Sequence, residues 1–286
     1  MAVLEPANER VVGYLGPRGT YSEEVALKLY QLETGRLFFM PYTSIDAVIR
    51  SVEKGEVSEC IVPVENSLEG SVNVTLDDLA HEVELFITRE IVLSIRNNLL
   101  VKPGTQKIDV IVSHAQALAQ CRHYLTTHYP DAEIKIMDST ASAAYLVASG
   151  AKNHAAVGSA RAGQIYNLAV QAADIQDNPN NSTRFIVLKK DADADVFPAN
   201  RKTSIVCRIN GQHPGSLCNV LLEFAQRQVN LTKIESRPAR TGLGEYVFFF
   251  DMQGSLNDAN VRAAVDAVKS KSLWFKNLGS YPLYAI

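Results

Sequence analysis

Cysteine is scarce in this chain: Cys60, Cys121, Cys207 and Cys218 are its whole complement, and no two have Cys-x-x-Cys spacing. A zinc ribbon and a dithiol redox pair are therefore not expected. Each cysteine sits in an apolar run, where a buried, reduced thiol is the expectation. Basic blocks are missing too. The 28 lysines and arginines are scattered among 31 acidic residues, for a net charge of −3, so no positive stripe is available to hold nucleic acid. No apolar run approaches the roughly 18 residues that a membrane span requires. Residues 1–10 carry charge and no apolar centre, unlike a signal or transit peptide. A cytoplasmic protein with neither a membrane nor a nucleic-acid partner is expected. The sequence shows no metal-ligand cluster, nucleotide fingerprint or convincing Ser-His-Asp set, so no metal site is expected.

What the 286 residues do contain is enough chain for two cores, at an ordinary 47% hydrophobic content. The first two thirds alternate strands and helices. Residues 22–33 read as a helix with Val25, Leu29 and Leu32 on one face, stopped by Thr34-Gly35. Residues 44–54 are amphipathic, with Ile45, Val48, Ile49 and Val52 at helical spacing and Gly55 at the end. Residues 60–64 form a continuous apolar strand of the kind buried in parallel sheets. Residues 87–101 read as one or two crossing strands, 115–126 as a helix, and 140–149 as an alanine-rich helix ended by Gly150. The alternation predicts mainly parallel sheets covered on both faces, and the number of elements predicts two of them with a cleft between. Residues 189–202, Lys-Lys-Asp-Ala-Asp-Ala-Asp-Val-Phe-Pro-Ala-Asn-Arg-Lys, break the pattern as a solvated linker. The order after it is βαββαβ, a ferredoxin-like unit whose open sheet edges favour oligomers.

Residues able to do chemistry gather at strand-to-helix junctions, where α/β sheets bind ligands and helix N-termini attract anions. In Gly16-Pro17-Arg18-Gly19-Thr20-Tyr21-Ser22-Glu23, Thr20 and Glu23 have capping-box spacing and the Lys-Ser/Thr pair of a Walker loop is missing. The segment Pro63-Val64-Glu65-Asn66-Ser67-Leu68-Glu69-Gly70 puts a carboxylate and an amide just past a buried strand, a costly placement unless they are paired. Ser113 and Gln116 fit a second capping box. His114 reads as a capping or surface residue, and Gln120 lies one turn further along the helix face. Asp138-Ser139-Thr140 opens the alanine-rich helix as a cap. Asn180-Asn181-Ser182-Thr183-Arg184-Phe185 leads into a last strand as a turn or a binding loop. Hydroxyls, amides and an arginine suit a polar, anionic small molecule. On composition alone, amino-acid binding and lyase chemistry stand level.

In this order the five junctions resemble the prephenate dehydratase family. Thr183-Arg184-Phe185 matches its most specific signature, Glu65-Asn66-Ser67 its Glu-Asn-Ser segment, and Ser113-His114 with Gln120-Cys121 a third motif. Tyr21, Gly163 and Ser216 stand where phenylalanine, alanine and alanine are commoner in the family. His213-Pro214-Gly215-Ser216-Leu217 and residues 230–238 are similar to the ACT domain that follows the catalytic module. The resemblance spans residues 11–282.

The resemblance implies a two-lobed α/β catalytic module like type II periplasmic binding proteins over residues 10–190. Its lobes would be 10–105 plus 180–190, and 106–179. A linker at 191–202 and an ACT domain at 203–282 would follow. The implied activity turns prephenate into phenylpyruvate for phenylalanine biosynthesis, without a cofactor and with phenylalanine as allosteric effector. Thr183 would be catalytic, assisting the leaving hydroxide. Asn66, Ser113 and Gln120 would hold substrate, and Thr20 and Ser67 would add hydroxyl contacts. Glu65 would orient its neighbours, Arg184 would pair with a carboxylate or join the lobes, and Phe185 would form an apolar wall. Gly215, Ser216, Leu217, Asn230 and Leu231 would line the effector pocket at a subunit interface of a homodimer or homotetramer. The rival readings are a solute-binding protein of the same shape, an arogenate dehydratase, and an amino-acid sensor with an inactive module.

Overall fold

The computed structural model describes residues 10–31, 33, 36–192, 201–211 and 213–286. Leu32, Thr34 and Gly35 of the first predicted helix end, and most of the predicted linker, lie outside them. The first lobe holds β1 (Arg10–Leu15), α1 (Tyr21–Tyr30), β2 (Leu37–Tyr42), α2 (Ile45–Lys54) and β3 (Glu59–Asn66). The two-residue β4 (Gly70–Ser71), α3 (Asn73–His81) and β5 (Phe86–Ser94) complete its first pass. The chain then crosses through Ile95, Arg96 and Asn97 into the second lobe. There it forms β6 (Asn98–Val101), β7 (Val110–Ser113), α4 (Ala115–Gln120), α5 (Arg122–His128) and β8 (Glu133–Ile136). After α6 (Thr140–Ala148), β9 (His154–Gly158), α7 (Ala160–Ile165) and β10 (Ala169–Ala172), it returns to the first sheet as β11 (Ser182–Lys189).

The two lobes repeat one plan. Strand order is β2-β1-β3-β11-β5 in the first and β8-β7-β9-β6-β10 in the second. Neighbours are parallel except around β11 and β6, which run antiparallel to both of theirs. Each expected parallel sheet thus contains one reversed strand, and that strand is the one entering from the other lobe. Because β6 pairs with β9 and β10, the lobe boundary falls at Asn97 and not at residue 105.

The predicted amphipathic helix is α2. The Ser44 hydroxyl accepts from the Ala47 N–H, Val48, Ile49 and Val52 are buried, and Gly55 closes the helix at φ 75°. The single helix expected over 115–126 is broken at Cys121, whose backbone leaves helical geometry at φ −113°, ψ 14°. Cys60, Cys121 and Cys207 are buried as expected, but Cys218 is exposed. It lies on α8 (Ser216–Gln226), which turns Val220, Glu223 and Phe224 inward instead.

The βαββαβ order holds in β12 (Arg201–Ile209), α8, β13 (Leu231–Pro238), β14 (Tyr246–Gln253), α9 (Ala259–Lys271) and β15 (Ser272–Ala285). The strands pair antiparallel in the order β13-β14-β12-β15. Val220, Phe224, Val261 and Val265 of the helices pack on Ile205, Phe250 and Met252 of the sheet. Val206, Val247 and Phe249 on the other face join Leu76, Leu79 and Ile186 in the core of the first lobe. Strand β15 also outruns its own sheet. Leu283–Ala285 pair in parallel with Glu90–Val92 of β5, which fuses the two sheets into one. Among the described residues no helix is long and apolar enough to cross a membrane.

Candidate active site at the hinge

Thr183 lies directly opposite Asn66 in the β11–β3 register, and Arg184 opposite Glu65. Side chains alternate across a strand. Thr183 and Phe185 therefore face the cleft between the lobes and Arg184 faces away; on β3 a register shift that skips Val64 lets Asn66 and Pro63 share the cleft face while Glu65 faces away. The cleft holds about 240 Å³. Leu15, Pro63, Ile95, Ala117 and Phe185 form its apolar wall. Polar groups enter at the starts of three helices: Thr20 and Ser22 on α1, His114 and Gln116 on α4, Ser139 and Thr140 on α6.

The hydrogen bonds at Thr183 have a direction. Asn66 Oδ1 accepts the backbone N–H groups of Leu68 (3.0 Å) and Glu69 (3.2 Å). That fixes its amide, so Nδ2 must point the other way, to Thr183 Oγ1 and to Asn181 Oδ1, each at 2.9 Å. The Thr183 oxygen is an acceptor in this bond, and its own proton is left for a ligand. Asn181 Nδ2 donates to Gln120 Oε1 (2.8 Å), and Gln120 Nε2 donates to Glu69 Oε1 (3.3 Å). Gln120 stands on α4 in the second lobe, so this chain of amides crosses the cleft. Asn66, Asn181 and Thr183 are all nine-tenths or more buried, which strengthens each bond.

The other predicted site residues divide. Thr20 lines the cleft as the N-cap of α1: its hydroxyl accepts from the Glu23 N–H and donates to Leu15 O. Ser113 does not reach the cleft. Its buried hydroxyl donates to Val157 O (2.6 Å), bracing β7 on β9, and His114 takes the cap of α4 in its place. Ser67 sits outside the lining, accepting from Ser182 N (2.9 Å) and donating to Asn180 O (3.2 Å). It pins the loop that carries Asn181. Glu65 and Arg184, included among the substrate-binding residues with orienting or structural roles as alternatives, do not line the cleft: Arg184 alternates with Thr183 and Phe185, and Glu65 is its register partner on the far face. There Arg184 meets Glu65 (2.5 Å), Glu90 (2.7 Å) and Asp251 (2.8 Å).

Asn181, absent from the predicted set, proves central, and as one polar residue among four in a turn it gave no separate signal. Tyr21 and Asn97 also line the cleft, with the Tyr21 hydroxyl donating to Asn97 Oδ1 (2.9 Å). Burial raises the Tyr21 phenol well above its usual value, which keeps it a neutral donor. Burial likewise pushes the Cys121 thiol up to about 12, so it packs and is not a nucleophile.

A second pocket, of about 710 Å³, opens on the βαββαβ unit, where Gly215, Ser216 and Leu217 meet Ile209 and Phe248. Helix α8 starts there behind Gly215 (φ 82°) with no side-chain cap. Ser216 Oγ is turned back onto His213 O (2.9 Å). Asn230 and Leu231 are not part of this pocket. They follow the other end of the 11-residue α8, about 16 Å along its axis.

A binding protein needs only complementary partners around its ligand. Here the amides are set so that one hydroxyl proton stays uncommitted in the cleft between two α/β lobes. The chain belongs to the prephenate dehydratase family, whose profile covers residues 12–193. It is 38% identical over 282 residues to the prephenate dehydratase of Lactococcus lactis subsp. lactis, covering 96% of this chain and 98% of that one. A crystal structure of prephenate dehydratase from Arthrobacter aurescens in complex with L-Phe matches with a TM-score of 0.86 at 34% identity, over 95% of this chain and 89% of that one. A structure described as a quorum quenching acylase matches at 0.84 and 26% identity, over 96% and 98%. The scaffold alone therefore does not choose the chemistry; the residues in the cleft must.

Proposed function

We propose that the cleft converts prephenate to phenylpyruvate, with Thr183 assisting departure of the ring hydroxyl. Carbon dioxide leaves from one ring carbon, and its bonding electrons move through the ring. The C–O bond on the opposite carbon breaks, and the ring becomes aromatic. That electron flow ends on the departing oxygen and needs no external sink. Charge grows on this oxygen only as the bond breaks, so a donor fixed beside it binds the transition state more tightly than the reactant. The observation that carries the reading is the bond from Asn66 Nδ2 to Thr183 Oγ1, which leaves the threonine proton as the one to give.

The substrate carboxylates would lie near the starts of α1 and α6, where N–H groups and hydroxyls meet them. Among the described residues lining the cleft there is no lysine or arginine. This suits decarboxylation, since a full ion pair would stabilise the charge that must be lost. Purified protein incubated with prephenate at neutral pH should release phenylpyruvate, and Thr183→Ala should lower kcat by about 10²–10³-fold. A folded wild-type protein without turnover would falsify the reading.

The βαββαβ unit we take to be an ACT domain that binds phenylalanine at a subunit interface. The uncapped start of α8 suits a carboxylate, and Ile209 and Phe248 suit a ring. Gly215–Leu217 and Asn230–Leu231 are a helix length apart, so one chain does not bring both to one ligand. A second protomer would supply the missing half. Strand β13 is the free edge of its sheet and exposes Ile234, which supports a homodimer or homotetramer built there.

A further inference from the structure

We infer that Asn181 is a positioning residue that couples closure of the two lobes to the aim of the Thr183 proton. The inference rests on the dehydratase reading of the same cleft. Asn181 is 1% exposed, and both arms of its amide are committed. Oδ1 takes one hydrogen of Asn66 Nδ2, leaving the other for Thr183, and Nδ2 gives a hydrogen to Gln120 of the second lobe. Its backbone oxygen accepts from Ile95 N (2.8 Å), so the same residue ties the two hinge crossings together. No other side chain in the cleft touches both lobes and the partner of Thr183 in this way among the described residues.

The consequence follows from amide chemistry. Gln120 Oε1 holds the Asn181 amide in one of two orientations. When the lobes part, α4 carries Gln120 away and that restraint is lost. The flipped amide would present a donor to the Asn66 donor; with Asn66 Oδ1 still held by the Leu68 and Glu69 N–H groups, the repulsion would push Asn66 Nδ2 off its line to Thr183 Oγ1. Closure thus sets the leaving-group donor only once substrate has drawn the lobes together.

The test is steady-state kinetics on prephenate with Asn181→Ala, Thr183→Ala, their double variant, and Gln120→Leu. Asn181→Ala should lose about 100-fold in kcat with KM within about 3-fold of wild type. The double variant should be no slower than Thr183→Ala alone, because one hydroxyl is being aimed by the other residue. Gln120→Leu, at a half-buried position, should lower kcat in the same way and add nothing to Asn181→Ala. Losses that multiply in the double variant, or a raised KM with unchanged kcat, would overturn the inference while leaving the dehydratase reading intact. If Asn181→Ala does not fold, the Gln120→Leu and Thr183→Ala pair is judged by the same two criteria. A wild-type protein inert toward prephenate sinks both readings.

Discussion

Thr183 carries a methyl as well as a hydroxyl, and the two can be separated. Thr183→Val keeps the shape and removes the donor, and should fall with Thr183→Ala to about 10²–10³ below wild type in kcat. Thr183→Ser keeps the donor and should stay within about 10-fold. A valine variant that remains active would mean that packing, not hydrogen bonding, is what the position supplies. Asp78 gives a prediction of a different kind. It is buried on α3, its Oδ2 finds no partner, and burial first, then the Asp46 carboxylate, pushes its pKa up to about 6. The folded state then holds this proton more tightly than the unfolded state, so stability is lost as pH rises from about 4 to about 6. Asp78→Asn should unfold at a higher temperature than wild type at pH 7 and at the same temperature near pH 4. Equal melting at pH 7 would show that the carboxylate is compensated. At this scale the sequence made Thr183, Asn66, Gln120, Thr20 and Phe185 legible, because each belongs to a motif or a junction. It left Arg184 between a carboxylate partner and a join of the lobes, because its partners Glu90 and Asp251 are distant in sequence. Ser113 was misread because its hydroxyl serves a neighbouring strand, β9, that is distant in sequence.

Elements were legible where local chemistry and packing agreed. Helix α2 has a serine cap, one apolar stripe and a terminal glycine, and it was found with its ends. Helix α3 was missed because Val72 gives it no side-chain cap and it buries Thr75, Leu76, Asp78, Leu79 and Ala80 on several sides. That breadth has a cause: α3 lies between the first lobe and the βαββαβ unit. Arg237 grips Asp77 with two bonds (2.9 and 3.0 Å), and Lys276 donates to Leu79 O and Val83 O. The extension of β15 was equally hidden, since its partner β5 lies almost 200 residues earlier in the chain. Gly279 permits it. Its φ is 113°, and a Cβ there would stand 2.7 Å from Ile87 O on β5. Gly279→Ala should therefore lower the melting temperature through both backbone strain, about 1–2 kcal/mol, and a forced separation of β15 from β5. Gly104→Ala, at φ 84° with open space around it, isolates the strain alone. If the two variants melt together, close approach at Gly279 is not what holds the strands.

The whole molecule joins its two sites through a shared sheet and through the charges behind Thr183. Arg184, Lys202 and Lys233 face Glu65, Glu90 and Asp251, three cations against three anions drawn from both the first lobe and the βαββαβ unit. Arg184 and Glu65 are backbone neighbours of Thr183 and Asn66. A movement of Asp251 would therefore reach Arg184, the residue next to Thr183. Removing Arg184 would leave three carboxylates for two lysines and cost about 3–5 kcal/mol, so Asp251→Asn is the milder probe. It keeps an acceptor for the Ser204 hydroxyl, which now reaches Asp251 Oδ1 at 2.6 Å, and removes the charge facing Arg184. If phenylalanine acts through this network, the variant should turn over prephenate within about 3-fold of wild type without effector and still bind phenylalanine by equilibrium dialysis. The change in turnover that phenylalanine causes should shrink, because the coupling free energy and not either site has been altered. An undiminished response would place the coupling in β15 and β5 instead, where Gly279→Ala should then abolish it.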